Sequence, residues 1–189
     1  MESAKEIVLD NQSLIYLIRH FSSIDEKCKL EIKSQGFTES DIQEKLSTIG
    51  SKFNTEFAKN PGAVVVELSK INPAKVINQG NQRTALIYEF TQPIGCDSIC
   101  SLDDIPPSFH AGIQKVMRGD YLVQSIELST FLTTNQLVAV VENETNKLIT
   151  LFPGRYAPPF PNDYKSENER KNATKFWEQH LFIKPFTNE

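Results

Sequence analysis

Residues 137–153, LVAVVENETNKLITLFP, decide the fold. QLVAVVE at Gln136–Glu142 and KLITLF at Lys147–Phe152 are rich in β-branched residues, and the NETN between them is turn chemistry, so the stretch reads as a hairpin. Just upstream, GDYLVQSIEL (Gly119–Leu128) alternates apolar and polar residues as a half-buried strand does. Three strands in succession without an intervening helix predict an antiparallel meander. After Phe152 the extended texture stops in PGRYAPPFP (Pro153–Pro161), where four prolines would present Arg155 and Tyr156 from a stiff loop.

Working outward, a last helix is predicted over Glu167–His180, which groups Phe176, Trp177 and His180 at its C-terminal end. SFHAGIQKVM (Ser108–Met117) reads as a short helix with His110 in its first turn, and SICSL (Ser98–Leu102) as a short strand. TALIYEF (Thr84–Phe90) and AVVVELS (Ala63–Ser69) carry the β-branched and aromatic residues of strands, with turn chemistry in the intervening NPAKVINQGNQR.

Toward the N-terminus the texture is helical. Leu14, Ile15, Leu17, Ile18 and Phe21 share one helical face, and a second helix is expected from about Ser23 to Lys33. A long third helix is predicted from the steps of three and four that link Ile42, Leu46, Ile49, Phe53 and Phe57. Thr38 with Asp41 would cap its start, and Asn60, Pro61 and Gly62 its end. Helices first and strands afterwards imply an α+β fold, with N-terminal helices packed on an antiparallel sheet and a short C-terminal helix. With 189 residues and 39% hydrophobic content, one core is expected, hence a single domain over 1–189. Within it, residues 1–61 would form a helical layer and 62–189 a mostly antiparallel sheet with its C-terminal helix.

The net charge of −4 is uneven: residues 1–105 carry 11 Lys/Arg against 15 Asp/Glu, and residues 106–189 carry 9 against 9. So weak a field does not attract nucleic acid at long range, and any such role needs a local basic cluster. No apolar run reaches the roughly 18 to 20 residues of a membrane span, and the N-terminus has no signal-peptide pattern, so a cytoplasmic protein with no membrane association is expected. Cys28, Cys96 and Cys100 are too few and too isolated for a metal cluster and read as free thiols of a reducing compartment. No metal or cofactor is expected, and phosphate-loop, GxSxG and HExxH motifs do not occur.

What remains is chemistry carried by polar side chains alone. His20 sits beside an apolar helical face and reads as structural. The C-terminal half gathers His110, Arg118, Thr150, Arg155, Tyr156 and His180. A base for a ribose 2′-hydroxyl, a cation for the phosphorane and an acid for the leaving 5′-oxygen are residue types that this set supplies.

A short helix followed by a meander with the hairpin LVAVVENETNKLITLFP resembles the sheet of the barnase, EndoU, colicin D and RelE class of ribonuclease toxins. Thr150, Leu151, Phe152 and Pro153 correspond to that class's T-x-Y/F-P stretch, and the likeness covers about residues 106–183. The resemblance implies a metal-independent endoribonuclease acting on RNA, with His110, Arg118, Thr150 and His180 catalytic. Arg155, Tyr156 and Trp177 would bind substrate. TLFPGRYAPPFP followed by KFWEQHLFI also resembles the ending of a group of bacterial proteins. The alternative is a non-catalytic interaction protein, such as an immunity or inhibitor module, whose acidic surface holds a basic protein partner, a cognate toxin or antitoxin. A third reading is a small-molecule or peptide-binding domain around Tyr156 and Phe160.

Overall fold

The computed structural model describes residues 6–80, 82–129 and 131–186. The helices are α1 (Leu14–Leu17), α2 (Glu26–Ser34), α3 (Glu39–Leu46), α4 (Pro61–Leu68) and α5 (Glu167–Gln179). The strands in the first half are β1 (Lys52–Phe53), β2 (Lys75–Gly80), β3 (Arg83–Glu89), β4 (Gly95–Asp97) and β5 (Ile99–Ser101). They are followed by β6 (Gln114–Arg118), β7 (Tyr121–Leu128), β8 (Leu132–Thr134), β9 (Gln136–Glu142), β10 (Leu148–Pro153) and β11 (His180–Pro185). The fold is α+β, as the order of helical and extended texture implies.

The chain divides into two compact units. The first takes the described residues up to Cys96 together with Thr133–Tyr156, and the second takes Asp97–Leu132 and the described residues from Ala157 onward. Each is discontinuous in sequence, so no composition shift marks a boundary.

In the first unit the hairpin forms as read: β9 and β10 are antiparallel, with Leu148 opposite Val141 and Pro153 opposite Leu137. The turn closes through Glu142 and Lys147, with Asn146 in the left-handed region at φ 55°. The sheet order β10-β9-β3-β2 makes β9 an interior strand. Leu137, Ala139 and Val141 pack with the helices, while Val138 and Val140 pack with Ala85 and Ile87 on the other face. The meander reading is corrected here, because β7 does not join this sheet. It pairs with β6 and β11 in the second unit, whose order is β5-β11-β7-β6. The β7–β11 pairing is parallel, a long-range contact that local alternation does not encode.

Two more expectations change for local reasons. AVVVELS is helix α4, because Asn60 Oδ1 accepts from the Ala63 amide at 2.8 Å and Pro61 fits the first turn. Val64 and Leu68, four apart, are its buried stripe. The Asn60 amide nitrogen also donates to Asp25, which caps α2 through the Cys28 amide at 2.9 Å, so one contact joins two helix starts. The long third helix ends at Leu46. The Thr38–Asp41 capping box is present, but Gly50 lies at φ +156° and Lys52–Phe53 continue as a strand paired with β4. Ile49, the middle of the helical stripe, is consequently exposed, whereas Phe53 is buried between Phe21 and Phe57 at ring distances of 5.0 and 5.9 Å. SFHAGIQKVM likewise divides into a 3-10 turn over Pro107–Gly112 and strand β6. In NPAKVINQGNQR, Lys75–Gly80 is strand β2 rather than turn.

Gly95 in β4 marks a close approach in the first unit: a Cβ there would lie 2.3 Å from the Lys52 carbonyl oxygen and 2.9 Å from Pro153 Cβ. Gly95→Ala is therefore expected to force backbone apart and to cost about 1–3 kcal/mol. A lowered urea midpoint at unchanged m-value checks this; a wild-type midpoint would mean that the three strands separate freely.

Candidate functional site

In the second unit, side-chain alternation along β11 sends His180 and Phe182 to one face of the sheet and Leu181 and Ile183 to the other. The first face is covered by α5. Trp177 is buried there with Ile99 and Val123, and Phe160, Phe176 and Phe182 pack against them. Trp177 stacks on Phe182 at 5.1 Å, and the Arg118 guanidinium lies over the same Phe182 ring at 4.9 Å. Phe176 stacks on His180 at 3.9 Å. Arg118, Phe182, Trp177, Phe176 and His180 thus form one connected cation and aromatic row.

His180 Nδ1 is 2.8 Å from the Phe176 carbonyl oxygen. Only a protonated Nδ1 can donate to it, so the neutral ring keeps the lone pair of Nε2. Arg118 on β6 reaches across β7 to the Phe182 ring on β11, and His180 is two residues along β11 from Phe182, about 7 Å.

His110 belongs elsewhere. The opposite face buries Cys100, Ile126, Leu181 and Ile183, and it is closed by a segment that inserts Ile105 and Ile113. His110 is an exposed residue of that segment, with Nε2 2.9 Å from the Ile105 carbonyl oxygen. The sheet therefore brings Arg118, Trp177 and His180 together and puts His110 in the layer over its other face. The closing segment is stiff. Pro106 and Pro107 restrict its backbone, the Asp103 amide donates to Ser101 Oγ, and the Phe109 amide donates to the Pro106 carbonyl at 2.9 Å. The segment holds Phe109 out at 50% exposure, and Asp103 on the same segment is exposed as well.

Thr150, Arg155 and Tyr156 lie in the first unit. Thr150 is half-buried on β10 opposite Val140, just past a bulge. Tyr156 packs with Phe152 and Ile77, and its hydroxyl accepts a long 3.5 Å bond from Gln79 Nε2. Arg155 is half-buried beside it. The proline stretch contains the last of the three passages between the units, which falls between Tyr156 and Ala157.

The first unit also contains a polar group that sequence reading set aside. His20 Nδ1 donates to the Ser51 carbonyl at 3.0 Å, and its Nε2 accepts from Arg19 Nε at 3.0 Å, so the ring is the neutral tautomer. Burial, reinforced by the adjacent Arg19 and Lys52 charges, pushes its pKa down to about 3. Lys52 Nζ donates to the carbonyls of Arg19, Phe21 and Leu46 at 2.6, 3.2 and 2.8 Å, and burial lowers its pKa to about 8. Cys28 is buried, and desolvation, with Asp25 and Glu31 nearby, raises its thiol to about 12, which makes it inert rather than nucleophilic. Among the described residues, no group of three or more His, Cys, Asp or Glu side chains converges to hold a metal ion.

No protein-family model matches the chain, and no curated protein does. Among solved structures, it is similar to a conserved hypothetical protein from Toxoplasma gondii ME49, with 10% identity over 98% of each chain and a TM-score of 0.47. No helix among the described residues is long and apolar enough to cross a membrane.

The His20 environment has a pH consequence. Its folded pKa, near 3, lies below the unfolded value of 6.5, so the unfolded chain binds the proton first and the contribution of His20 to stability is complete above 6.5. Stability falls as pH drops from 6.5 toward 3, by at most about 1.4 kcal/mol per unit. Asp10, Glu39 and Asp41, whose carboxyls are held below their usual values mainly by hydrogen bonds, add their losses only below about 4.5. Urea midpoints at pH 7, 6 and 5 are expected to decline for the wild type and to stay level for His20→Gln. An equal decline in both would assign the effect to another group.

Proposed function

We propose that this chain is a non-catalytic interaction protein that holds a basic protein partner through the turn at residues 102–112. One observation carries the reading: Phe109 is kept half-exposed by a segment fixed at both ends. Ile105 and Ile113 are set into the core, two prolines restrict the backbone, and His110 is bonded back to Ile105. An exposed aromatic on a prearranged loop is what a binding anchor requires, since little entropy is lost when it is covered. Asp103, exposed on the same segment, and the acidic balance of the second unit, which carries 7 Lys/Arg against 10 Asp/Glu, suit a cationic surface. His110, whose Nε2 helps to brace that turn, then serves as a brace rather than as an acid or base.

The test is capture of one basic partner in stoichiometric amount at low salt, with release at high salt. Phe109→Ala is expected to weaken that binding about 30-fold, equivalent to about 2 kcal/mol, and Asp103→Lys to weaken it as well, both with wild-type urea midpoints. Undiminished binding by Phe109→Ala would remove this surface from consideration.

The ribonuclease reading draws on a different observation, the common face of Arg118, Trp177 and His180. There the unprotonated Nε2 of His180 would take the 2′-hydroxyl proton and Arg118 would meet the phosphate, while Trp177, buried against Phe182, would hold the face together rather than stack a base. It expects purified protein to cleave single-stranded RNA in the presence of a chelator, with at least a 100-fold loss in His180→Ala and in Arg118→Ala. Intact RNA after long incubation, or cleavage unaffected by both substitutions, rejects it.

A further inference from the structure

The first unit has a cavity of about 400 Å³ between the C-terminal end of α4 and strand β3, walled by Ile7, Val65, Leu68 and Ile71 with Tyr88. Its size is that of sites for small organic ligands. Tyr88 is 4% exposed and belongs to the helix-side core, where a phenol hydroxyl normally finds a partner. Here the hydroxyl makes no hydrogen bond to a described residue, and it is not sealed away: the fully shielded, unpartnered side-chain atoms among the described residues are Gln35 Oε1 and Trp177 Nε1. Tyr88 lines the 400 Å³ cavity and also a second one of about 280 Å³ that includes Pro73, Val76 and Leu86. The lining is mixed: Ile7, Val65, Val66, Leu68 and Ile71 are apolar, Glu6, Ser69, Lys70 and Asn72 are polar, and the Tyr88 hydroxyl stands unpaired among them.

We propose that this cavity binds a small, neutral molecule whose aliphatic part lies against Val65, Leu68 and Ile71 and whose carbonyl or hydroxyl oxygen pairs with the Tyr88 hydroxyl. The charges at the mouth favour a neutral ligand over an anion. Lys70 Nζ is bound to Glu67 at 2.6 Å, so its charge is already matched, and Glu6 adds a negative charge at the same rim. Val66, 56% exposed, and Ile71, 36% exposed, extend the apolar lining to the surface, where an aliphatic tail would leave water. The desolvation that raises the Tyr88 pKa makes the hydroxyl a neutral donor at every physiological pH. This site is separate from the turn at 102–112 and from the Arg118 face, and it stands or falls independently of both.

The test titrates the full-length protein with 2-octanone, which has an acceptor oxygen and no charge, and with octanoate, which has a tail of similar length and a negative charge. Binding is followed by methyl NMR shifts of Val65, Leu68 and Ile71. The ketone is expected to shift those methyls saturably with a Kd of about 1 mM or tighter, and octanoate to bind at least tenfold more weakly. Tyr88→Phe, which keeps the ring and removes the oxygen, should weaken the ketone about 2- to 10-fold at an unchanged melting temperature. Val65→Phe, which fills the cavity, should abolish the shifts. Shifts confined to other residues, no saturation, equal affinity for octanoate, or full binding by Tyr88→Phe would each overturn the proposal.

Discussion

The ammonium of Lys52 organises the first unit. It has no carboxylate partner among the described residues and spends its three donors on the carbonyls of Arg19, Phe21 and Leu46, at the ends of two helical segments. Carbonyls at helix ends have no partner within the helix and must find one elsewhere. One side chain supplies them here, and so fixes where α3 stops, where the 3-10 turn after α1 stops, and how β1 enters. His20 completes the arrangement with its bond to the Ser51 carbonyl next door. The same crowding requires Gly95, because β1 and the end of β10 leave no room for a Cβ.

The second unit is organised differently, by a parallel pair. β11 lies beside β7 with Ile183 opposite Ile126, so the last strand is placed by a segment more than fifty residues earlier. α5 then covers one face and the 102–113 segment the other. That two-sided covering keeps His110 from joining Arg118 and His180. The three residues have suitable chemistry individually, but two of the imidazole nitrogens already hold backbone carbonyls that shape the unit.

Much of the local structure was legible from residue pattern. The β9–β10 hairpin, the strand at Tyr121–Leu128, the Thr38–Asp41 capping box and the last helix follow from alternation, turn residues and capping groups that act within a few positions. Where the readings diverge, a nonlocal or competing signal prevailed. AVVVELS has the composition of a strand, yet Asn60 and Pro61 start a helix and the core accepts Val64 and Leu68. Phe53 and Phe57 continue a helical period, but they are placed by ring packing across a strand and a turn. Of the candidate site, Phe176 and Trp177 were legible as neighbours of His180 because α5 carries both in its last turn and His180 follows directly as the first residue of β11. Their meeting with Arg118 required β6, β7 and β11 to align.

The sequence by itself determined the α+β class, the N-terminal helical character and the stiffness of PGRYAPPFP, because helical period, β-branching and proline geometry act on neighbouring residues. Tertiary structure alone decided that there are two discontinuous units, that the proline stretch contains one of the three passages between them, that Tyr88 borders a cavity with its hydroxyl unpaired, and that His110 lies apart from His180. Those outcomes depend on which distant strands pair and in which register, and register sends each side chain to one face or the other.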